Sequence, residues 1–271
     1  MVRGVVLSLL AALSAVAWAQ PPTPPGRLER ILETGELRVC IWPDYYGVSY
    51  RNPKTRTLTG IDVEMAGALA ADLGVGLRFV ESAFSQLVED IATDRCDVAM
   101  FAVGITPQRR TSMRFTEPYL ASDIYAIASN GNHRVRQWAD IDRPGTVVAV
   151  AKGTVHETVM RERLRHATLR VLDTPHAREV EVQSGRADVF MTDYPYSRRM
   201  LATTDWARLI EPEDEFHITP YAYALPLGDD PWWARLQRFV EDIKRDGRLL
   251  AAARRHGLEP VVLIDREGVG P

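Results

Sequence analysis

The chain has 271 residues, 46% of them hydrophobic and 25% charged, with a formal net charge of −3. This is the balance of a globular protein with room for one large or two small domains. No general basic field results, which argues against nucleic acid as a partner, and Arg far outnumbers Lys in the manner of a codon-usage bias.

Residues 1–19 place one cation, Arg3, before an apolar run that ends in Ala17-Trp18-Ala19. That is the pattern of a secretory signal peptide cleaved after Ala19. The run is short for a membrane span, so a retained anchor is the lesser reading. No Cys follows the cleavage point, which argues against lipid attachment. Residues 20–26, ending in PPTPPG, read as an extended leader. The mature protein is expected to be exported to the periplasm. There, Cys40 and Cys96 could form a disulfide, or they could be two buried free thiols on or beside strands. The sequence leaves both open.

GRLERILETGEL predicts a short helix ending at Gly35, followed by a strand, LRVCIW (37–42). DYYGVSYRNPKTRTLTG is rich in turn residues. IDVEMAGALAADLG places Ile61, Met65, Leu69 and Leu73 at helical spacing, with Gly74 as the stop. A strand (LRFVE), a helix (FSQLVEDIAT) and a strand (CDVAMF) follow, an order that predicts a mostly parallel α/β sheet. The pattern then restarts: strand TVVAVA, helix GTVHETVMRERLRHA, strand TLRVL, helix PHAREVEVQSG, strand ADVFMT. An internal echo, Arg-x-Asp-Val-x-Met at Arg95–Met100 and Arg186–Met191, supports two similar lobes. Asp97 and Asp188 within it read as structural residues at a turn or strand start. The strand YAYALP and the helices DPWWARLQRFVEDIKRDG and RLLAAARRHG are expected to return to the first lobe. The predicted division is 27–122 with 222–260 for lobe 1, 123–221 for lobe 2, and a tail at 261–271.

In open parallel sheets, ligands bind beyond the carboxyl ends of strands. Four segments leave strands with suitable residues: Asp44-Tyr45-Tyr46; Gly104-Ile105-Thr106 with Arg109; Lys152-Gly153-Thr154 at a helix start; and Thr192-Asp193-Tyr194. Together they offer a guanidinium fork for a carboxylate, a carboxylate for an ammonium, and N–H donors at a helix N-terminus. The simplest ligand with both charges is an α-amino acid. Asp193 could alternatively cap a helix starting near Pro195, and Arg109 could be a solvated loop charge. One of Tyr45 and Tyr46 is expected in the cleft. His156 and Glu157 read as a solvated helix face, and the remaining histidines show no metal-ligand spacing.

Several motifs, in order, resemble the family 3 extracellular solute-binding proteins of bacterial ABC transporters. They are the LRV strand followed by Asp44-Tyr45, LTGIDVEM (58–65), DRCDVAM (94–100), I-T-x-x-R with FTEPY (105–119), Gly153-Thr154, and RADVFMTD (186–193). The resemblance covers about 27–257. It implies a two-lobed periplasmic-binding-protein fold with the cleft between lobes, a small zwitterionic or carboxylate ligand, closure by a hinge, delivery to a membrane permease as a monomer, no cofactor and no catalysis. It also implies a role for each matched residue. Arg109 would clamp the α-carboxylate, Asp193 would hold the ammonium and Tyr45 would form an aromatic wall. Gly104 and Thr106 would lend backbone or hydroxyl contacts, and Thr154 would cap the carboxylate from the second lobe. Arg110 and Arg114 have no matched role. Tyr45-Tyr46-Gly47-Val48 departs from the usual Tyr-x-Pro-Phe, and Ala102 replaces a small polar residue. A periplasmic cyclohexadienyl dehydratase type is also similar, in RLERILETGELRV and SYR. The general-acid Glu of that type corresponds to Tyr196 here. An accessory binder of a periplasmic oxidation or sensing system is the third possibility.

Overall fold

The computed structural model describes residues 26–174 and 176–264. The expected signal peptide, its cleavage point, and the tail beyond Ile264 lie outside the described residues. In chain order the first half contains α1 (Arg27–Thr34), β1 (Glu36–Ile41), β2 (Asp44–Tyr45), β3 (Ser49–Arg51), β4 (Leu58–Thr59), α2 (Ile61–Leu73), β5 (Gly76–Glu81), α3 (Leu87–Ala92), β6 (Val98–Gly104), α4 (Pro107–Arg110), β7 (Arg114–Phe115) and β8 (Leu120–Ser122). There follow β9 (Ile124–Ser129), β10 (Val147–Ala151), α5 (Val155–Arg163), β11 (Thr168–Leu172), α6 (Ala177–Gln183), β12 (Val189–Asp193), α7 (Tyr194–Thr203), β13 (Ala207–Ile210), β14 (Thr219–Leu225), α8 (Asp230–Arg245) and α9 (Arg248–His256).

One sheet has the order β5-β1-β6-β14-β7, with β8 also on β14; the other is β11-β10-β12-β9-β13. Parallel pairing is confined to β5-β1-β6 and β11-β10-β12. The strand next to each parallel trio, β14 or β9, runs antiparallel. A strand that crosses from the other lobe arrives at the opposite end of the sheet, so it pairs without a helical crossover. The two crossings lie side by side, with Ser122 paired to Thr219. Asp123 ties them further: its Oδ1 accepts the amides of Ile124 and His217 at 2.7 Å, and its Oδ2 accepts that of Phe216 at 2.8 Å.

The repeated Arg-x-Asp-Val-x-Met has one physical meaning in both lobes. Asp97 precedes β6 and accepts the Arg38 amide at 2.8 Å; Asp188 precedes β12 and accepts the Val147 amide at 2.9 Å. Each aspartate also donates its own amide to that residue's carbonyl. The carboxylate thus starts the parallel ladder and fixes its register.

The free-thiol reading of the cysteines is overturned. Cys40 on β1 and Cys96 just before β6 form a disulfide, with a Cα–Cα distance of 5.6 Å. Pairing of Cys40 with Ala99 across the parallel ladder brings them within bonding reach. Two further expectations are corrected. The turn-rich segment after Trp42 holds a small β2-β3-β4 sheet, whose strands of two or three residues are too short to show a period. Helix α5 ends at Arg163, because the Asp142 carboxylate takes the amides of Arg165, His166 and Ala167 and ends the helical ladder. In α8 the apolar stripe Trp232, Leu236, Phe239, Val240 and Ile243 is fully buried, and the Trp232 indole donates to the Asp97 carbonyl at 2.8 Å. Among the described residues, no helix is long and apolar enough to cross a membrane.

Candidate ligand-binding site

The carboxyl ends of β1, β6 and β12, together with the N-terminus of α5, converge between the lobes. They line a small, partly open cavity of about 20 Å³, room for about one water molecule. Of the six residues singled out above, Tyr45, Gly104, Thr154 and Asp193 line it, together with Trp42, Phe84, Ala102, His156, Arg178 and Tyr221. Thr106 and Arg109 line instead a wider groove of about 700 Å³ alongside. Tyr46 packs outside this cavity, against Tyr50 and Tyr196.

Asp193 does two things at once. Its Oδ1 accepts the Tyr196 amide at 3.2 Å and caps α7, while its Oδ2 accepts the hydroxyls of Tyr45 and Tyr221, the latter at 2.9 Å. The cap is thus compatible with a place in the cleft. Both tyrosines belong to the first lobe, so these bonds join the lobes. Burial raises the Asp193 pKa against the opposing hydrogen bonds from Tyr45, Tyr196 and Tyr221. Burial also pushes the phenols of Tyr45 and Tyr221 well above their usual range and keeps them as donors.

Arg109 follows Thr106, whose hydroxyl caps the single turn α4 by accepting the Arg109 amide at 3.1 Å. The guanidinium is 8% exposed. Its Nη1 donates to the Gly104 carbonyl at 2.7 Å and its Nη2 to the Gly153 carbonyl of the other lobe at 2.9 Å. Burial lowers its pKa to about 10, so it stays cationic at neutral pH. The solvated-loop reading does not hold. Arg114 pairs with Asp230 and lies over the Trp233 ring, away from the cleft.

Thr154 caps α5. Its hydroxyl donates to the Ala151 carbonyl at 2.7 Å and accepts the Glu157 amide at 3.4 Å. Glu157 reaches back past the cap and accepts the Gly153 amide at 2.7 Å. His156 is not on a solvated face. It lines the small cavity, its Nδ1 is buried without a partner among the described residues, and burial pulls its pKa down to about 3. Gly153, just before α5, has φ at 77°, and the helical period alone does not reveal which way the first turn faces.

Ala102 lies in β6 with φ at 49°, a conformation unusual for a residue with a Cβ. Its amide donates to Asp62 Oδ2 at 2.8 Å, and the Tyr119 hydroxyl does so at 2.5 Å. The register of β14 against β6 shifts opposite this point, between Ala222 and Ala224. The aspartate of LTGIDVEM therefore holds the irregularity that brings Ala102 and Gly104 to the cleft wall. Burial raises the Asp62 pKa to about 7. A carboxyl raised in the fold favours folding while protonated, so its cost to stability appears between about pH 4 and 7 and then stays constant. Unfolding free energies of Asp62→Asn and the wild type should thus diverge as pH rises from 5 to 8. The wild type should lose about 2–3 kcal/mol relative to the variant. Parallel stability curves would refute this.

Sequence reasoning missed Trp42, Phe84, Arg178 and Tyr221. Trp42 and Phe84 pack at 5.3 Å between ring centroids and form an aromatic wall with Tyr45. Tyr221 enters on the returning strand β14, whose partner only the tertiary fold decides.

The bacterial extracellular solute-binding protein, family 3, profile matches residues 37–259. The chain belongs to that family. It is 31% identical over 255 residues to the cyclohexadienyl dehydratase of Pseudomonas aeruginosa, covering 94% of each chain. It is 26% identical over 245 residues to the L-cystine-binding protein TcyJ of Escherichia coli (strain K12), covering 90% of each. Among solved structures, the ancestral amino acid-binding protein AncCDT-1, described as a precursor of cyclohexadienyl dehydratase, is similar at 28% identity and a TM-score of 0.77. That match covers 84% of this chain and 98% of the other. This solute-binding chain therefore has the two-lobed α/β fold of its relatives.

Proposed function

We propose that this family 3 protein is a monomeric periplasmic binder, exported by residues 1–19. In this reading it captures a small zwitterionic or carboxylate ligand, an amino acid first of all, for an ABC permease. The observation that carries this is the bridge from Asp193 to Tyr45 and Tyr221, a buried carboxylate held between the lobes by two phenols. An ammonium can replace those phenols as donor, and its charge favours the ionised carboxylate. Arg109 keeps three of its five N–H donors beyond those given to Gly104 and Gly153, enough for a ligand carboxylate when the lobes part. The paired crossings at Ser122 and Thr219 are the hinge. The closed state is favoured by the contacts the ligand adds to it.

Calorimetric titration with amino acids and small carboxylates tests this. Arg109→Ala should lose most of the affinity, about tenfold or more. Asp193→Asn should weaken amino acids while sparing carboxylates that lack an ammonium. Unchanged binding in the first variant, or equal loss for both ligand types in the second, would refute the roles.

The identity to a cyclohexadienyl dehydratase favours one alternative, a dehydratase. Against it, the residue three beyond Asp193 is Tyr196, whose hydroxyl donates to Glu179 and whose pKa burial drives well above the phenol range. Such a phenol is a weak general acid. Turnover of arogenate by the purified protein would decide for the enzyme.

A further inference from the structure

The cleft holds a second buried guanidinium. Arg178, near the start of α6, is 4% exposed. Its Nε donates to Glu179 Oε1 at 3.3 Å and its Nη1 to the Met191 carbonyl at 3.1 Å. The Tyr196 hydroxyl also lies within hydrogen-bonding reach of the guanidinium. The rings of Tyr196 and Phe190 lie 4.2 and 5.0 Å from its Cζ and hold the guanidinium in place. Arg178 lines both the small cavity and a neighbouring one of about 30 Å³, whereas Glu179 lines neither. The cation faces the ligand space, and its counter-ion stands behind it.

The charges around the cleft can be matched to a ligand. In the cavity itself Arg178 is the cation and Asp193 the anion that line it, His156 being neutral at its depressed pKa; Arg109 adds a second cation from the groove beside it, and Glu179 pairs with Arg178 from behind. The complement is a molecule with two carboxylates and one ammonium. We infer that Arg178 is a specificity-determining residue that selects amino acids with an acidic side chain, whose second carboxylate it receives. This rests on the reading of the cleft as an amino-acid site. A carboxylate there gains a charge-assisted bond from an already desolvated donor. An amide gains a weaker one, and a cationic side chain meets a like charge in a medium of low dielectric.

The test is calorimetric titration of the purified protein with aspartate, glutamate, asparagine, glutamine, arginine and succinate. Aspartate or glutamate should bind at least about tenfold tighter than its amide or arginine, and succinate should bind more weakly for want of the ammonium. Arg178→Met should erase the preference for acid over amide, and Arg178→Lys should restore part of it. If Arg178→Met does not fold, the wild-type panel and Arg178→Lys still decide. Amides or arginine binding as tightly as the acids would overturn this inference and leave the amino-acid reading intact. Equal loss for acid and amide in Arg178→Met would reduce Arg178 to a structural residue and also overturn it. Binding of none of the six would overturn this inference, and failure of the wider set of amino acids and small carboxylates as well would overturn the amino-acid reading.

Discussion

Gly153→Ala is expected to hold the lobes apart and to lower ligand affinity by at least about tenfold. Gly153 joins β10 to α5 with φ at 77°, and an alanine there costs roughly 1–2 kcal/mol in backbone conformation alone. The space is also closed. An added Cβ would stand 2.6 Å from the Ser85 amide nitrogen and 2.7 Å from the carbonyl of Phe84, both on the facing lobe. These are backbone atoms, which cannot turn away as the end of a long side chain can. The Gly153 carbonyl also receives Arg109 Nη2, so parting the lobes breaks that bond as well. Each lobe keeps its own sheet, and the melting temperature should change far less than the affinity. Small-angle scattering should show a larger radius of gyration that ligand no longer reduces. A variant that compacts on binding with the wild-type Kd would refute the close approach.

Removing the disulfide should produce the largest loss of stability. Cys40 and Cys96 are 56 residues apart, and a cross-link of that span restricts the unfolded chain by about 4 kcal/mol in the chain-entropy account. Both sulfurs lie in the core of the first lobe. The double variant Cys40→Ala with Cys96→Ala should therefore melt roughly 10 °C lower. The wild type in a strong reductant should move toward the variant, since both lack the same link. Melting within about 2 °C of the oxidised wild type would mean that the unfolded chain is already restricted by residual structure.

Much of the fold is legible in the sequence because it rests on local periodicity. The α2 pattern and the α8 stripe become buried faces. The repeated Arg-x-Asp-Val-x-Met marks equivalent ladder starts. The site is legible in part. Tyr45, Asp193, Thr154 and Gly104 meet in one cavity because each follows a strand whose carboxyl end faces the cleft. Arg109 lies beside that cavity, on two backbone carbonyls, an arrangement set by how closely the lobes approach.

The sequence by itself determined the two α/β lobes, the returning C-terminal helices and the polar residues at the strand ends. Each of these depends on spacing within a few residues, and hydrophobic period, turn chemistry and capping act over that range. The tertiary structure alone decided four things: the Cys40–Cys96 bond, the inward turn of His156, the arrival of Tyr221 beside Asp193, and the place of Arg178 on the cavity wall with Glu179 behind it. Those depend on which surfaces meet between distant segments, and such contacts leave no periodic trace along the chain.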